Sequence, residues 1–264
     1  MMKTNEMKPA AILQARTGST RLPDKMLMPF YGEKSVLEIL LERLVEARDY
    51  IDVADIIVAT TTSEADNGIA DLARRLGLNV FRGSENDVIS RFIGAADYYG
   101  HEKIIRICAD NVFIDIDSLR KLSLTLAGGD DDYVSFCKPD GTPSILTHYG
   151  FFAEGVKTSA LKKVVGLTDE PLYHEHVTNY IYNNPDIFNI KLMPMGEQVD
   201  GLEEHPYLRL TLDTKDDFEV QQTLYRQLTE RDIPLVPANI IEFIDTHHPE
   251  MYDVMKKTIN SNKK

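Results

Sequence analysis

Three cations stand close together near the start of the chain: Arg16, Arg21 and Lys25, in the run AAILQARTGSTRLPDK at residues 10–25. Charge-assisted hydrogen bonds to phosphate are the strong ones, and successive backbone N–H groups on one loop add to them, so this stretch suits a polyphosphate. The same residues also make an ordinary solvated surface turn, which is what many charge clusters are. Neither common phosphate loop is present, because GxxxxGK[ST] and GxGxxG both require further glycines and Gly18 stands alone. Two carboxylates lie where they could join such a loop. Asp110 follows the apolar run KIIRIC and Asp213 follows LRLTL. A pair of carboxylates at strand ends can hold one or two Mg2+ ions, which prefer oxygen ligands and accompany substrate phosphates. Asp213 also precedes a helix with Asp216 and Asp217 in its first turn, so its own neighbourhood favours a helix cap.

These side chains need a frame. Ala10, Ala11, Ile12 and Leu13 read as a buried strand, Gly18 is the flexible point of the loop, and Pro23 is its rigid one. A helix from Ser35 presents Val36, Leu37, Ile39, Leu40, Leu41, Leu44 and Val45 as a broad apolar face. Strands follow at 55–60, 78–81, 103–108 and 132–137. They alternate with helices at 66–76, from Asn86 or Asp87 through Tyr99, and at 117–126, two of them closed by Gly77 and Gly100. This rhythm predicts an α/β fold with a mostly parallel, doubly wound sheet, its strand-to-helix loops gathered on one ligand-binding edge.

Past Lys138 the rhythm breaks. A loop at 138–147 is followed by a strand at 150–154 and helices at 158–165 and 175–182. An alternating strand at 187–193 and a mobile loop at 196–206 complete the stretch. Residues 138–206 therefore read as an inserted lobe bearing substrate contacts, a dimer surface or both, within one domain spanning 1–264. A strand at 208–212 returns to the sheet, and helices cover 215–228 and 238–245. A C-terminal helix at 250–259 and the polar tail NSNKK form a final unit at 247–264, frayed at its end.

The 29 Lys and Arg against 42 Asp and Glu leave a formal charge of −13, which argues against nucleic acid as a partner. A local basic loop can still focus a small anion. Cys108 and Cys137 lack CxxC spacing and read as reduced thiols of a cytoplasmic protein. MMKTNEMKP lacks the apolar core of a signal peptide, and no apolar run reaches membrane-spanning length. No GxSxG pattern points to acyl chemistry. Asp130-Asp131-Asp132 contains a DxD, the hint of a metal-using glycosyltransferase, but follows Gly128-Gly129 as a solvated turn would. His174 and His176, two apart on a helix, would face different ways and do not suit zinc.

The string RTGSTRLPDK resembles RxGSxRLPGK of the CMP-sugar synthetase-like cytidylyltransferases. The nearest branch is the spore coat polysaccharide F type, related to CMP-KDO and CMP-acylneuraminate synthetases. Asp24 stands where that pattern has Gly. ADNVFID is similar to the family's GDNPFID or ADCPLID, and LDTKDDFE to DTPEDLE, with Val112 and Lys215 each replacing a proline. FRGSENDVISRF resembles FRGSEDDVLDRY, and HEHVTNY resembles REHVTPY with His174 in place of Arg.

The resemblance runs from Ala10 to about Leu228. It implies a Rossmann-like sheet of the nucleotide-diphospho-sugar transferase type and transfer of CMP from CTP to a sugar or sugar acid, with pyrophosphate leaving. It implies that Arg16 and Lys25 neutralise the triphosphate while Arg21 supports the loop or leaving group, and that Asp110 and Asp213 hold Mg2+. Leu13, Gln14, Ala15, Gly18 and Ser19 would bind the nucleotide. Gly83, Ser84, Asp87 and Arg91 would contact base or ribose, with Arg82 nearby. Arg91 reads equally as a surface cation paired with Asp87. Glu175 and His176 would contact the acceptor or hold lobe and dimer together, and the family implies a homodimer. A nucleotidyltransferase with a different NTP, a glycosyltransferase of similar sheet architecture and a non-catalytic nucleotide-binding protein remain open alternatives.

Overall fold

The computed structural model describes residues 8–19 and 21–261. The MMKTNEMKP start, through residue 7, and the last three residues of the NSNKK tail lie outside the described residues.

The chain opens on β1 (Ala10–Gln14), crosses the basic loop into a small hairpin of β2 (Pro29–Tyr31) and β3 (Lys34–Ser35), and enters α1 (Val36–Glu46). Ser35 caps α1 by accepting from the Glu38 N–H, and α2 (Arg48–Ile51) follows at once. The alternating part continues through β4 (Asp55–Thr61), α3 (Asn67–Arg75), β5 (Asn79–Gly83), α4 (Val88–Tyr99), β6 (Lys103–Cys108), α5 (Ile116–Gly128) and β7 (Tyr133–Cys137). Next come β8 (Glu154–Lys157), α6 (Thr158–Leu167), α7 (Pro171–Glu175), α8 (Asn179–Tyr182) and β9 (Ile190–Pro194). Three helices close the chain: α9 (Lys215–Glu230), α10 (Pro237–His247) and α11 (Met251–Ser261).

Seven strands form one sheet in the order β5-β4-β1-β6-β8-β7-β9. Every neighbouring pair is parallel except the two made by β8, which runs against β6 and β7. The expected mostly parallel α/β sheet is therefore present. Alternation along β1 divides the core between the two faces. Ala11 and Leu13 pack with α1 and the C-terminal helices, whereas Ala10 and Ile12 pack with α4 and α6. From β1 the chain steps outward to β4 and β5, then returns across β1 to β6. The reversal leaves a crevice beyond the carboxyl ends of β1 and β6, where open sheets bind ligands.

Several expectations need correction. The stretch at 138–206 supplies β8 and β9 to the central sheet. The strand expected at 150–154 begins only at Glu154, and Phe151, Phe152 and Ala153 before it are buried outside regular structure. The helix expected at 175–182 is broken after Glu175 and resumes at Asn179. Residues 208–212 are not a strand. Leu208, Leu210 and Leu212 are buried, but Leu210 and Thr211 both donate to the single His148 carbonyl, which is not a ladder. Gly150 explains the proximity: it has φ +71, and a Cβ there would come within 2.4 Å of the Leu210 carbonyl oxygen. Within 196–206 the chain makes two short helical turns, with Val199 and Leu202 buried.

Candidate active site

The basic loop leaves β1 and is tied down by an acid that is remote in sequence. Asp66, just before α3, accepts from the Thr17 N–H at 2.8 Å and its hydroxyl at 2.7 Å, and from the Thr61 hydroxyl. It is 2% exposed. Burial opposes its charge, but the hydrogen bonds from Thr61 and Thr17 outweigh burial and lower its pKa. Asp24 sits at φ +57, a left-handed turn that glycine adopts freely and aspartate more readily than most residues. The Asp-for-Gly departure thus falls where the backbone itself favours glycine, and the turn is made all the same: the Asp24 carbonyl accepts from Leu27 and Met28.

That turn aims Lys25 inward. Its Nζ lies 2.9 Å from Asp110 Oδ2 and 3.8 Å from Asp213 Oδ1, and it also donates to the Leu212 carbonyl. The two carboxylates come from the loops after β6 and before α9, and the lysine joins them. Arg21 meets Asp213 Oδ1 at 2.7 Å from the solvent side. Arg209, 1% exposed, holds Asp213 Oδ2 at 2.9 Å from within. Arg16 is looser, 3.4 Å from the Glu85 carbonyl and 3.9 Å from Glu175. The capping reading of Asp213 is corrected by the structure: Thr214 caps α9 in a capping box with Asp217, which also receives Arg209. Asp213 is thereby free to face the cleft. Asp110 is not a cap either, since Asp115 caps α5.

These groups line a cleft of about 330 Å3. Gln14, Ala15, Arg16, Ser19, Arg21, Lys25, Asp110, Glu175, His176 and Asp213 all border it. Cys108, Asp110, His176 and Asp213 also border a larger adjoining cavity of about 890 Å3 floored by residues 144–148. Leu13 is fully buried in the sheet, and Gly18 is exposed on the loop, outside the cleft lining.

Gly83, Ser84, Asp87 and Arg91 also stand outside that lining, along the junction of β5 and α4. Asp87 caps α4 by accepting from Ser90 and contacts His174 Nδ1 at 3.1 Å. Arg91 is 1% exposed and donates to the Ser84 carbonyl at 2.6 Å, so the surface pairing with Asp87 does not form. Arg82 donates to the Thr61 and Ser63 carbonyls and bridges two loops. His174 turns away from the cleft, whereas His176, in the break between α7 and α8, borders it.

Among the described residues no three His, Cys, Asp or Glu side chains converge as a metal site. Asp110 and Asp213 nonetheless fit a hard divalent ion, because Mg2+ commonly takes one or two carboxylates and completes its shell with phosphate oxygens and water. Their present partners are cations, which shows that the pocket between them favours positive charge.

Sequence reasoning gave no site role to Arg106, Cys108, Glu154, Arg209 or Asp66. A signal existed for Arg106: a cation inside the apolar run KIIRIC needs a buried acid, and Glu154 is that acid, at 2.5 Å. Burial pushes the Cys108 thiol up to about 11, against the pull of nearby Arg106 and Lys25, so near neutrality it borders the cleft as a neutral thiol.

A family model described as cytidylyltransferase matches residues 10–257. The chain belongs to the cytidylyltransferase family. An uncharacterized protein of Methanocaldococcus jannaschii is 38% identical over 97% of this chain and 96% of its own. The spore coat polysaccharide biosynthesis protein SpsF of Bacillus subtilis is 33% identical over 90% of this chain and 94% of its own. A cytidylyltransferase from Leptospira borgpetersenii has a similar structure, with a TM-score of 0.78 and 29% identity, covering 93% of this chain and 97% of its own. This cytidylyltransferase is thus a nucleotidyltransferase, and one of its relatives is named for spore coat polysaccharide biosynthesis. Among its described residues no helix is long and apolar enough to cross a membrane.

Proposed function

We propose that this cytidylyltransferase transfers CMP from CTP to a hydroxyl of a sugar or sugar-acid acceptor and releases pyrophosphate, as one step in making a surface or spore-coat polysaccharide. The observation that carries the reading is the Lys25 ammonium lodged between Asp110 and Asp213 at the strand-order switch point. A triphosphate entering there offers Lys25, Arg16 and Arg21 new anionic partners. The carboxylates they release become available to a divalent ion. Mg2+ held by Asp110 and Asp213 would neutralise charge on the α-phosphate and lower the pKa of the attacking oxygen.

The protein's own residues do the rest by position and charge. Lys25 and Arg16 balance the triphosphate, and Arg21, on the exposed rim, stays with the departing pyrophosphate. Asp66 and Arg209 are positioning residues, the first anchoring the loop through Thr17 and the second orienting Asp213. The backbone near Leu13, Gln14 and Ala15, with Gly18, Ser19 and the β5–α4 junction carrying Gly83, Ser84, Asp87 and Arg91, would hold the nucleoside. Glu175 and His176 meet the acceptor. The protein would act as a cytoplasmic homodimer.

Calorimetric titration with CTP, UTP, ATP and GTP, each with and without Mg2+, tests the nucleotide half. Preference for CTP that requires Mg2+ and disappears in Asp110→Asn is the expected result. Equal binding of all four nucleotides, or tight binding only of a nucleoside diphosphate-sugar, would reject it.

A further inference from the structure

Arg106 is a cation of the cleft that lies outside the motifs tied to phosphate or metal. It projects from the middle of β6 with 10% of its side chain exposed and borders the cleft beside Gln14, Cys108, Glu175 and His176. Its Nη1 is fixed from behind by Glu154 Oε2 at 2.5 Å. Glu154, 2% exposed, cannot swing away, because its other oxygen accepts from the Tyr133 hydroxyl and from Thr178 Oγ1 at 2.9 Å. The guanidinium is thus held in one orientation by a fully engaged acid.

The opposite edge of that guanidinium is unsatisfied. Arg106 Nε is buried and has no hydrogen-bond partner among the described residues, and Gln14 Oε1 is in the same condition. Ile12 pairs with Arg106 and Gln14 with Cys108, so Gln14 and Arg106 share one sheet face on adjacent strands. Both residues border the cleft, and a buried donor and a buried acceptor without partners cost stability unless a ligand meets them.

We propose that Arg106 binds the carboxylate of an acidic acceptor through its Nε edge, with Gln14 accepting from a hydroxyl of the same molecule, making the cleft selective for acidic over neutral acceptors. This rests on the nucleotidyl-transfer reading above and adds a specificity residue to it. A planar guanidinium matches a carboxylate bidentately, which a lysine at the same place cannot do. A neutral ester offers a single uncharged carbonyl acceptor in place of two anionic oxygens, so it loses the charge and the second hydrogen bond and binds less tightly. Ordinarily a buried Arg–Glu pair only neutralises itself. Here the geometry commits one nitrogen to Glu154 and leaves another without a partner.

The test is calorimetric binding of 3-deoxy-manno-octulosonate and N-acetylneuraminate, each against its methyl ester, to protein loaded with a non-cleavable CTP analogue and Mg2+. Wild type should bind at least one acid about tenfold or more tightly than its ester. Arg106→Lys should lose most of that preference with little change in affinity for the CTP analogue. The paired variant Arg106→Met with Glu154→Leu removes both charges, protects against failure to fold, and should abolish the preference. Esters binding as well as acids, acids failing to bind loaded wild type, or preference surviving in the paired variant would each overturn the assignment. Failure of the CTP analogue to bind wild type would instead reject the nucleotidyl-transfer reading.

Discussion

Two clusters of ionic groups meet in the cleft, and they are built in opposite ways. In the loops after β6 and before α9, Lys25, Arg21 and Arg209 share Asp110 and Asp213, whose side chains are 27% and 21% exposed. On the sheet face, Arg106 and Glu154 are 10% and 2% exposed, and both oxygens of the acid are bonded. Groups of the first cluster stand on loops and can exchange partners with an arriving polyanion. Those of the second stand on β6 and β8, whose ladder fixes their separation. One cluster is poised for exchange and the other for holding a shape. The difference lies in what carries the charges rather than in the charges themselves.

Substitutions on either side should separate those roles. Lys25→Ala should lower kcat by about 10²–10³-fold, the usual cost of removing a group that stabilises transition-state charge. Asp213 keeps Arg21 and Arg209, so the melting temperature should move little; retained turnover measured by pyrophosphate release would break the contrast. Glu154→Leu should do the reverse. It strands a buried guanidinium and should reduce unfolding free energy by about 3 kcal/mol in urea titration. Adding Arg106→Met should recover most of that loss.

The smallest expected effect lies at the edge of the cleft, where His174 links α7 to the cap of α4. Burial lowers its pKa, but the Thr168 carbonyl and Asp87 outweigh it, and the net value is raised above 6.5. A raised histidine stabilises fully below its unfolded value and ceases to do so as pH rises through its folded value. Melting of wild type relative to His174→Gln should therefore show a small advantage at pH 6 that fades toward pH 8. An advantage growing with pH would contradict the assigned contact.

Elements whose burial comes from their own composition were legible before the structure. KIIRIC is β6 at its expected bounds, DIIVAT lies within β4, and the apolar face expected from residue 36 is buried on α1 through Leu44, with Val45 left exposed. Continuous apolar runs between turn residues leave few other ways to bury them. LRLTL carries a similar pattern yet makes no ladder, because 148–150 crosses it at Gly150 and its donors converge on one carbonyl. Likewise, the strand expected at 150–154 misled because its aromatics are buried by packing, whereas β8 contains the buried Glu154 that its composition argues against. The break at His176–Thr178 allows Thr178 to reach Glu154, a partner 24 residues away that no local periodicity reveals.

The sequence alone determined the parallel framework, the basic loop after β1 and the candidacy of Asp110 and Asp213, because these depend on local apolar patterning and on motifs contiguous in the chain. Tertiary structure decided that Lys25 joins Asp110 to Asp213, that Thr214 relieves Asp213 of capping, that Asp66 anchors the loop, and that Glu154 holds Arg106 toward the cleft. Each of these is a pairing of charges or hydrogen-bonding groups whose energy depends on distance and burial, and both are created only when the strands are laid side by side.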